Sequence, residues 1–135
     1  MRTRAVGLLL AAGLGLGATA AAAEPFEKVW CLRYAFAPDA AASIFLAGAP
    51  AGATMDVPFA MCVAQRGEDV VVLDAGYVRQ ELGEPFNAQD WTEYAALLAE
   101  IGLKPEQVDY LTISHMHWDH TGGTSRFPNA KFIVQ

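Results

Sequence analysis

The chain has 135 residues, of which 53% are hydrophobic, and 9 Lys plus Arg stand against 15 Asp plus Glu, for a formal net charge of −6. This length suits one domain at most. An acidic chain without clustered Lys and Arg is poorly suited to contacts with phosphates, so we expect no nucleic-acid partner.

The first residues are typical of an export signal. Met1 to Arg4 is a short basic head, residues 5–17 are apolar, and Ala21 to Ala23 provide the small side chains that signal peptidase requires. We predict that residues 1–23 are a cleavable signal peptide, that the protein is periplasmic or secreted, and that no stable membrane anchor remains. A retained anchor is the alternative, but this uncharged stretch is weakly hydrophobic and near the minimum length that spans a bilayer.

Strands are predicted next. Residues 29–36 are rich in β-favouring side chains, residues 57–65 alternate apolar and polar side chains, and residues 69–74 follow after a tight connection, as in a β-hairpin. Between the first two, residues 43–46 could form a further short strand. The sequence thus predicts a sheet in the first half of the exported part.

Two cysteines fall in these predicted strands, Cys31 and Cys62. A disulfide could persist in an oxidising compartment. The alternative is a pair of buried free thiols in neighbouring strands, since unpaired Cys often packs as a small hydrophobic residue. We slightly favour free thiols, and the redox state stays open.

A helix is predicted for residues 87–101. Asn87 is a good N-cap, Asp90 suits the positive end of the helix dipole, and Gly102 supplies a C-terminal stop. One apolar stripe at helical spacing comprises Trp91, Tyr94, Ala95, Leu98 and Ile101. These side chains are expected to pack on the sheet.

The last third alternates strand and helix. Residues 108–114 read as a strand, residues 124–127 could start a helix, and residues 131–135 begin another strand. Strands first, then a helix, then alternation, favour an α+β protein built as a layered sheet with helices outside.

The candidate site follows the strand at 108–114. The only three histidines of the chain are His115, His117 and His120, with Asp119 among them. An extended His115-x-His117 would point both imidazoles to one side, and a turn after it would bring Asp119 and His120 from a second direction. Imidazole and carboxylate are good ligands for a divalent cation such as zinc. The pattern therefore predicts a site for one or two metal ions.

A loose metal-scavenging tract is the other interpretation of a His-rich stretch. Such a tract needs neither a buried strand before it nor a Gly-Gly pair after it. Residues 111–113 read as such a strand, and Gly122-Gly123 follow and would let the backbone pass closely or adopt positive φ. A built site is therefore favoured.

The pattern His115-x-His117-x-Asp119-His120, between an apolar strand and Gly-Gly, resembles the signature of the metallo-β-lactamase-fold hydrolases. The resemblance implies a four-layer αββα sandwich, with residues 24–135 as its N-terminal half. It also implies two zinc ions, with His115 and His117 as ligands of the first and Asp119 and His120 as ligands of the second.

The resemblance exposes missing parts. Members of the family have roughly twice this length, and two further His ligands and a bridging Asp follow their motif. No His follows His120 and no Asp follows Asp119 in this sequence. We therefore interpret the chain as part of a larger protein, from an incomplete gene model, a pseudogene or a truncation, and expect it to be inactive alone.

The implied activity is hydrolysis of a small-molecule ester or lactone by a metal-activated water, with Asp119 as the catalytic residue that contacts the nucleophile. Residues 109–135 are similar to the N-acyl-homoserine-lactonase branch. The alternatives are an exported β-lactamase, a thioester hydrolase of the same fold and a non-catalytic truncated product; a mononuclear iron oxygenase is less favoured. The oligomeric state stays open.

Two further roles are implied by the resemblance. In this fold, loops near residues 43–46 often overhang the metal site, so Phe45 or Leu46 could face a substrate, although a plain packing contact is favoured. A carboxylate at the position of Asp74 often lies behind the metal ligands. Orienting a ligand imidazole and forming a simple turn at the strand end are equally good interpretations of Asp74.

Overall fold

The computed structural model of this chain describes residues 24–134. The predicted signal peptide, residues 1–23, lies outside the described residues. Within residues 24–134, no helix is long and apolar enough to cross a bilayer.

Five strands form one mixed sheet in the order β1-β2-β3-β4-β5. The strands are β1 Lys28–Ala41, β2 Thr54–Arg66, β3 Asp69–Leu73, β4 Tyr110–Thr112 and β5 Lys131–Ile133. The pairs β1–β2 and β2–β3 are antiparallel hairpin neighbours, whereas β3–β4 and β4–β5 are parallel. Parallel neighbours need a crossover connection, and α1 Tyr94–Glu100 lies in the first of these and α2 Trp118–Thr121 in the second. The arrangement is α+β, as the sequence predicted.

The first hairpin is longer than predicted. β1 extends to Ala41 and β2 starts at Thr54, because the two strands continue to pair after a register shift between Ala37 and Ala40. The strand predicted at residues 43–46 is wrong. Ala42–Ile44 form a 3-10 turn that connects the hairpin.

A β-bulge interrupts β1. The pairing register shifts between Arg33 and Ala35, so Tyr34 and Ala35 are both buried although they are adjacent in sequence. A bulge adds one unpaired residue and turns a side chain away from strict alternation. Here it directs the Tyr34 ring into the core.

The core lies between one face of the sheet and α1. The side chains of Val63, Val72, Leu98 and Val108 are completely buried. The opposite face has one row of directly paired residues that crosses all five strands: Cys31, Cys62, Leu73, Thr112 and Ile133. Leu73 and Ile133 in this row are 38% and 52% exposed, so helices cover only one side of the sheet within the described residues.

The predicted helix starts later than expected. Asn87 and Asp90 have φ of 53° and 56°, a left-handed conformation that is incompatible with a helix interior. The backbone of Gln89 instead exchanges two hydrogen bonds with Phe36, at 2.9 and 2.7 Å, which holds this segment extended along β1. Glu93 is the N-cap, and its carboxylate accepts from Ala95 N at 2.7 Å.

The predicted strands at residues 108–114 and 131–135 are present with shorter bounds, whereas the helix predicted from residue 124 is not. β4 and β5 are each three residues long, and residues 124–126 form a 3-10 turn where a helix was predicted. Gly102 follows α1 with φ of 78°, the left-handed conformation that commonly ends a helix.

Truncation of Leu98 tests which face of α1 supports the core. Leu98 is completely buried, so Leu98→Ala should lower the free energy of unfolding by about 2–5 kcal/mol. Leu46→Ala is the matched control, because Leu46 is 54% exposed and should change the same quantity by about 0.5 kcal/mol or less. Urea unfolding of both variants measures the difference; equal effects would contradict the assigned core.

Candidate metal centre

The motif leaves the sheet before its first histidine. β4 ends at Thr112, residues 114–117 form a bend, and α2 begins at Trp118. His115 and His117 are therefore not on an extended strand, and that part of the sequence interpretation is wrong. The bend nevertheless brings the two rings together, with centroids 4.5 Å apart.

The four predicted ligands lie in one cluster as two pairs. His115 Nε2 is 2.9 Å from His117 Nδ1, and His120 Nε2 is 3.3 Å from Asp119 Oδ2. The pairs adjoin, since the rings of His115 and His120 have centroids 4.0 Å apart. These are the same two pairs that the family resemblance implied, and metal binding by them stays a prediction.

Asp74 lies beneath this cluster, at the end of β3. Its carboxylate accepts from Ser114 N at 2.7 Å through Oδ1, and from Ser114 Oγ at 2.9 Å through Oδ2. The same Oδ2 is 2.9 Å from His120 Nδ1. Asp74 also has φ of 67°, a turn conformation that Asp tolerates better than most residues. Asp74 therefore fits both interpretations: it contacts the candidate ligand His120, and it forms the turn at the end of β3.

These contacts determine the charge on Asp74. Burial would raise the pKa of its carboxyl group, but hydrogen bonds from Ser114 and His120 outweigh burial and lower the pKa below its ordinary value of 3.8. The carboxylate is therefore ionised at neutral pH. An ionised acceptor 2.9 Å from His120 Nδ1 favours a proton on that nitrogen.

Backbone hydrogen bonds attach α2 to the segment that follows β3. Ala75 N donates to His120 O at 2.7 Å, and Gly123 N donates to Gly76 O at 2.9 Å. A Cβ atom on Gly123 would collide with the Ala75 carbonyl oxygen and with the Tyr94 ring. Since the φ of Gly123 is −98°, close approach rather than positive φ requires glycine at this position.

Tyr34 supports the same segment from the bulge of β1. Its hydroxyl donates to the backbone carbonyl of Asp119 at 2.7 Å, and burial, followed by the nearby Tyr94 hydroxyl and Asp119 carboxylate, raises the pKa of Tyr34. Sequence reasoning missed this contact, because a partner 85 residues away leaves no local pattern. Ser114 was also missed, although its position directly before His115 in a motif of ligands was an available signal.

A cavity of about 570 Å³ opens beside the cluster, within the size range of small-molecule sites. One wall consists of the four candidate ligands. The other wall is apolar and comprises Ile44, Phe45, Phe59, Phe86 and Trp118. Phe45 thus faces the cavity, whereas Leu46 is not among the lining residues.

The candidate ligands offer nitrogen and oxygen donors, the kinds of atom that divalent metals such as zinc bind. Within residues 24–134, no three His, Cys, Asp or Glu side chains surround a common point with the geometry of a metal site. The two facing nitrogens of His115 and His117 hydrogen bond at 2.9 Å, whereas two nitrogens on one tetrahedral zinc lie roughly 3.4 Å apart. The two nitrogens would therefore have to move apart by about 0.5 Å to bind one zinc ion together.

Comparison with known proteins gives consistent results. The sequence matches the model of the Metallo-beta-lactamase superfamily over residues 57–135. The N-acyl homoserine lactonase AttM of Azorhizobium caulinodans is 50% identical over 40 residues, which are 30% of this chain and 15% of that protein.

Solved structures share the fold over most of the described residues. A probable metal-dependent hydrolase from Staphylococcus aureus has a TM-score of 0.65 at 21% identity, over 80% of this chain and 46% of the other. Bacillus thuringiensis AiiA, with N-decanoyl-L-homoserine at its active site, has a TM-score of 0.64 at 20% identity, over 82% and 49%. The chain spans about half the length of these structures, and about a seventh of the curated relative is aligned.

Replacing Asp74 tests its structural contribution. Asp74→Asn keeps the shape but places an amide opposite the donors of Ser114 and His120, so it should cost about 1–3 kcal/mol of unfolding free energy at pH 7. Because the folded pKa lies below 3.8, the contribution is present above that value and is lost as pH falls through the folded pKa. Urea unfolding between pH 7 and 3 measures the loss.

Asp56→Asn is the matched control for this series, since Asp56 is exposed and outside the cavity lining. Its unfolding free energy should follow the unmodified chain at each pH. A cost for Asp74→Asn that does not shrink on acidification would contradict the assigned role of its charge.

Adding a methyl group at Gly123 tests the close approach of α2 to the end of β3. Gly123→Ala should destabilise the chain by about 1–3 kcal/mol, because the surrounding backbone must move to admit the Cβ atom. Thermal unfolding measures the effect against Ser125→Ala, an exposed neighbour that should change stability little. A neutral Gly123→Ala would refute the tight contact.

Proposed function

The chain belongs to the metallo-beta-lactamase superfamily, and we propose on that premise that it serves a zinc-dependent hydrolase acting on an ester or lactone carbonyl. The observation that carries the proposal is the cluster of His115, His117, Asp119 and His120 on one wall of a cavity. We propose further that these residues are metal ligands and that zinc is the metal.

Each residue has a separate task in this proposal. His115 and His117 would hold one zinc ion, and Asp119 with His120 a second. Bound zinc would supply a water whose pKa is lowered to about 7, and would polarise the substrate carbonyl. Asp119 is the catalytic residue: its carboxylate would accept a hydrogen bond from the attacking water and could pass a proton to the leaving oxygen.

The surrounding residues would keep these groups in place. Asp74 holds the Nδ1 side of His120 at 2.9 Å, so the ring cannot turn without losing this hydrogen bond. Tyr34 holds the Asp119 carbonyl at 2.7 Å. Metal-ligand imidazoles are commonly oriented by such outer partners, and their loss typically costs about 10–100-fold in metal affinity or activity.

The relatives and the apolar wall together favour an N-acyl homoserine lactone as the substrate class. Several curated relatives are N-acyl homoserine lactonases, and AiiA holds N-decanoyl-L-homoserine. An acyl chain needs an apolar surface next to the reacting carbonyl. Phe45, Phe59 and Phe86 offer one beside the candidate ligands.

We propose a periplasmic or secreted location for this activity, based on the basic and apolar start of the sequence. Lactones with acyl chains are small molecules, so no macromolecular partner is needed for the reaction.

The test combines zinc content with hydrolysis of an N-acyl homoserine lactone and of nitrocefin. It uses the 135-residue chain and any longer reading frame that contains it. We expect zinc binding and lactone turnover in the longer form. Asp119→Asn should reduce turnover by about 100-fold or more, since it removes both a ligand and the proton acceptor.

Asp56→Asn, an exposed carboxylate outside the cavity, should leave turnover unchanged. If nitrocefin is hydrolysed and the lactone is not, the proposed lactonase activity is wrong and the protein is a β-lactamase. Full activity of Asp119→Asn, or hydrolysis that survives complete zinc removal, would overturn the proposed mechanism.

A further inference from the structure

The two cysteines of the chain meet across the first hairpin. Cys31 in β1 is the direct antiparallel partner of Cys62 in β2. Directly opposed residues in such a pair have Cα atoms about 4.5 or 5.5 Å apart, and both values fall within the range of disulfides, about 4.4–6.8 Å. The backbone therefore need not move to admit a covalent bond.

The side chains already face each other. The two Sγ atoms lie 2.8 Å apart and form a hydrogen bond, so a disulfide of about 2.05 Å requires them to approach by roughly 0.8 Å. Both thiols are on the sheet face opposite α1. Cys31 is exposed and Cys62 half-buried, which corrects the expectation that both would be buried.

The environment distinguishes the two thiols. The hydrogen bond with Cys31, followed by partial burial, raises the pKa of Cys62 to about 11. Cys62 therefore stays protonated at neutral pH, and the more exposed Cys31 is the sulfur that an external disulfide meets first.

We propose that Cys31 and Cys62 are an oxidation site that forms an intramolecular disulfide by exchange with a small-molecule or protein disulfide. The Cys31 thiolate attacks the oxidant, forms a mixed disulfide and releases one thiol. Cys62 then loses its proton and displaces the second thiol. In total the two cysteines lose two protons and two electrons, and the oxidant gains them as two thiols.

The position of the bond gives it a structural task. Cys31 lies just before the bulge that shifts the register between Arg33 and Ala35 and turns Tyr34 towards Asp119. A covalent bond at this pair fixes the alignment of β1 with β2 at the entrance to the bulge. It also closes a loop between residues 31 and 62, which restricts the unfolded chain.

The test measures disulfide formation in the reduced full chain over a series of reduced-to-oxidised glutathione ratios. After alkylation in denaturant, trypsin cuts after Lys28, Arg33 and Arg66, so the cysteines fall in separate peptides, 29–33 and 34–66. We expect these peptides to be joined, in a monomer, and to separate on reduction. Mass spectrometry gives the oxidised fraction at each ratio.

Repeating the series in urea tests whether the fold favours the bond. A native disulfide typically stabilises the folded state by about 2–4 kcal/mol. Because about 1.4 kcal/mol corresponds to a tenfold change, half oxidation in urea should need a glutathione ratio roughly 30–1,000-fold more oxidising than in the folded chain. Cys31→Ser and Cys62→Ser are the controls, and each should carry only a glutathione adduct. The proposal would be overturned if both cysteines of the unmodified chain are found alkylated, and so unoxidised, at glutathione ratios that give both control variants a glutathione adduct. An unchanged midpoint in urea, or linkage between chains, would overturn it equally.

Discussion

The ionised carboxylate of Asp74 is the group on which the geometry of the motif depends. It ends β3 in a left-handed turn, and from there it accepts two hydrogen bonds from Ser114 and contacts His120. One short side chain therefore sets the direction in which the chain leaves β4 and the orientation of a ring six residues further on. A buried carboxylate without these donors would be costly, so the turn and the motif stabilise each other.

Much of the fold was predictable because local patterns and tertiary contacts agree in the strands. The residues of β2 and β3 alternate or are β-branched, and a two-residue turn joins them. The start of α1 was not predictable in the same way. Asn87 and Asp90 are favourable at a helix start, but a backbone bridge pairs Gln89, which lies between them, with Phe36, and both flanking residues are left-handed. That bridge depends on a strand far away in sequence.

In the candidate site, too, the residues that form a local sequence pattern were predictable, and the contacts that depend on distant strands were not. His115, His117, Asp119 and His120 were found because they fall within six consecutive positions and all have side chains that can bind metals. Their surroundings were only partly found: a role for Asp74 was foreseen through family resemblance, whereas the contact of Tyr34 with Asp119 depends on a bulge in β1. Bulges arise from pairing between strands, and the sequence around Tyr34 contains no sign of one.

Trp118 sits between two candidate ligands in sequence and lines the cavity they share. Its ring packs edge to face with Tyr77 at 4.8 Å between centroids and also touches Phe59 and Phe86. An indole in that place is sensitive to the polarity and charge of the space it borders. Trp118 is therefore an intrinsic fluorophore at the cavity, one of three tryptophans in the chain, and it needs no attached dye.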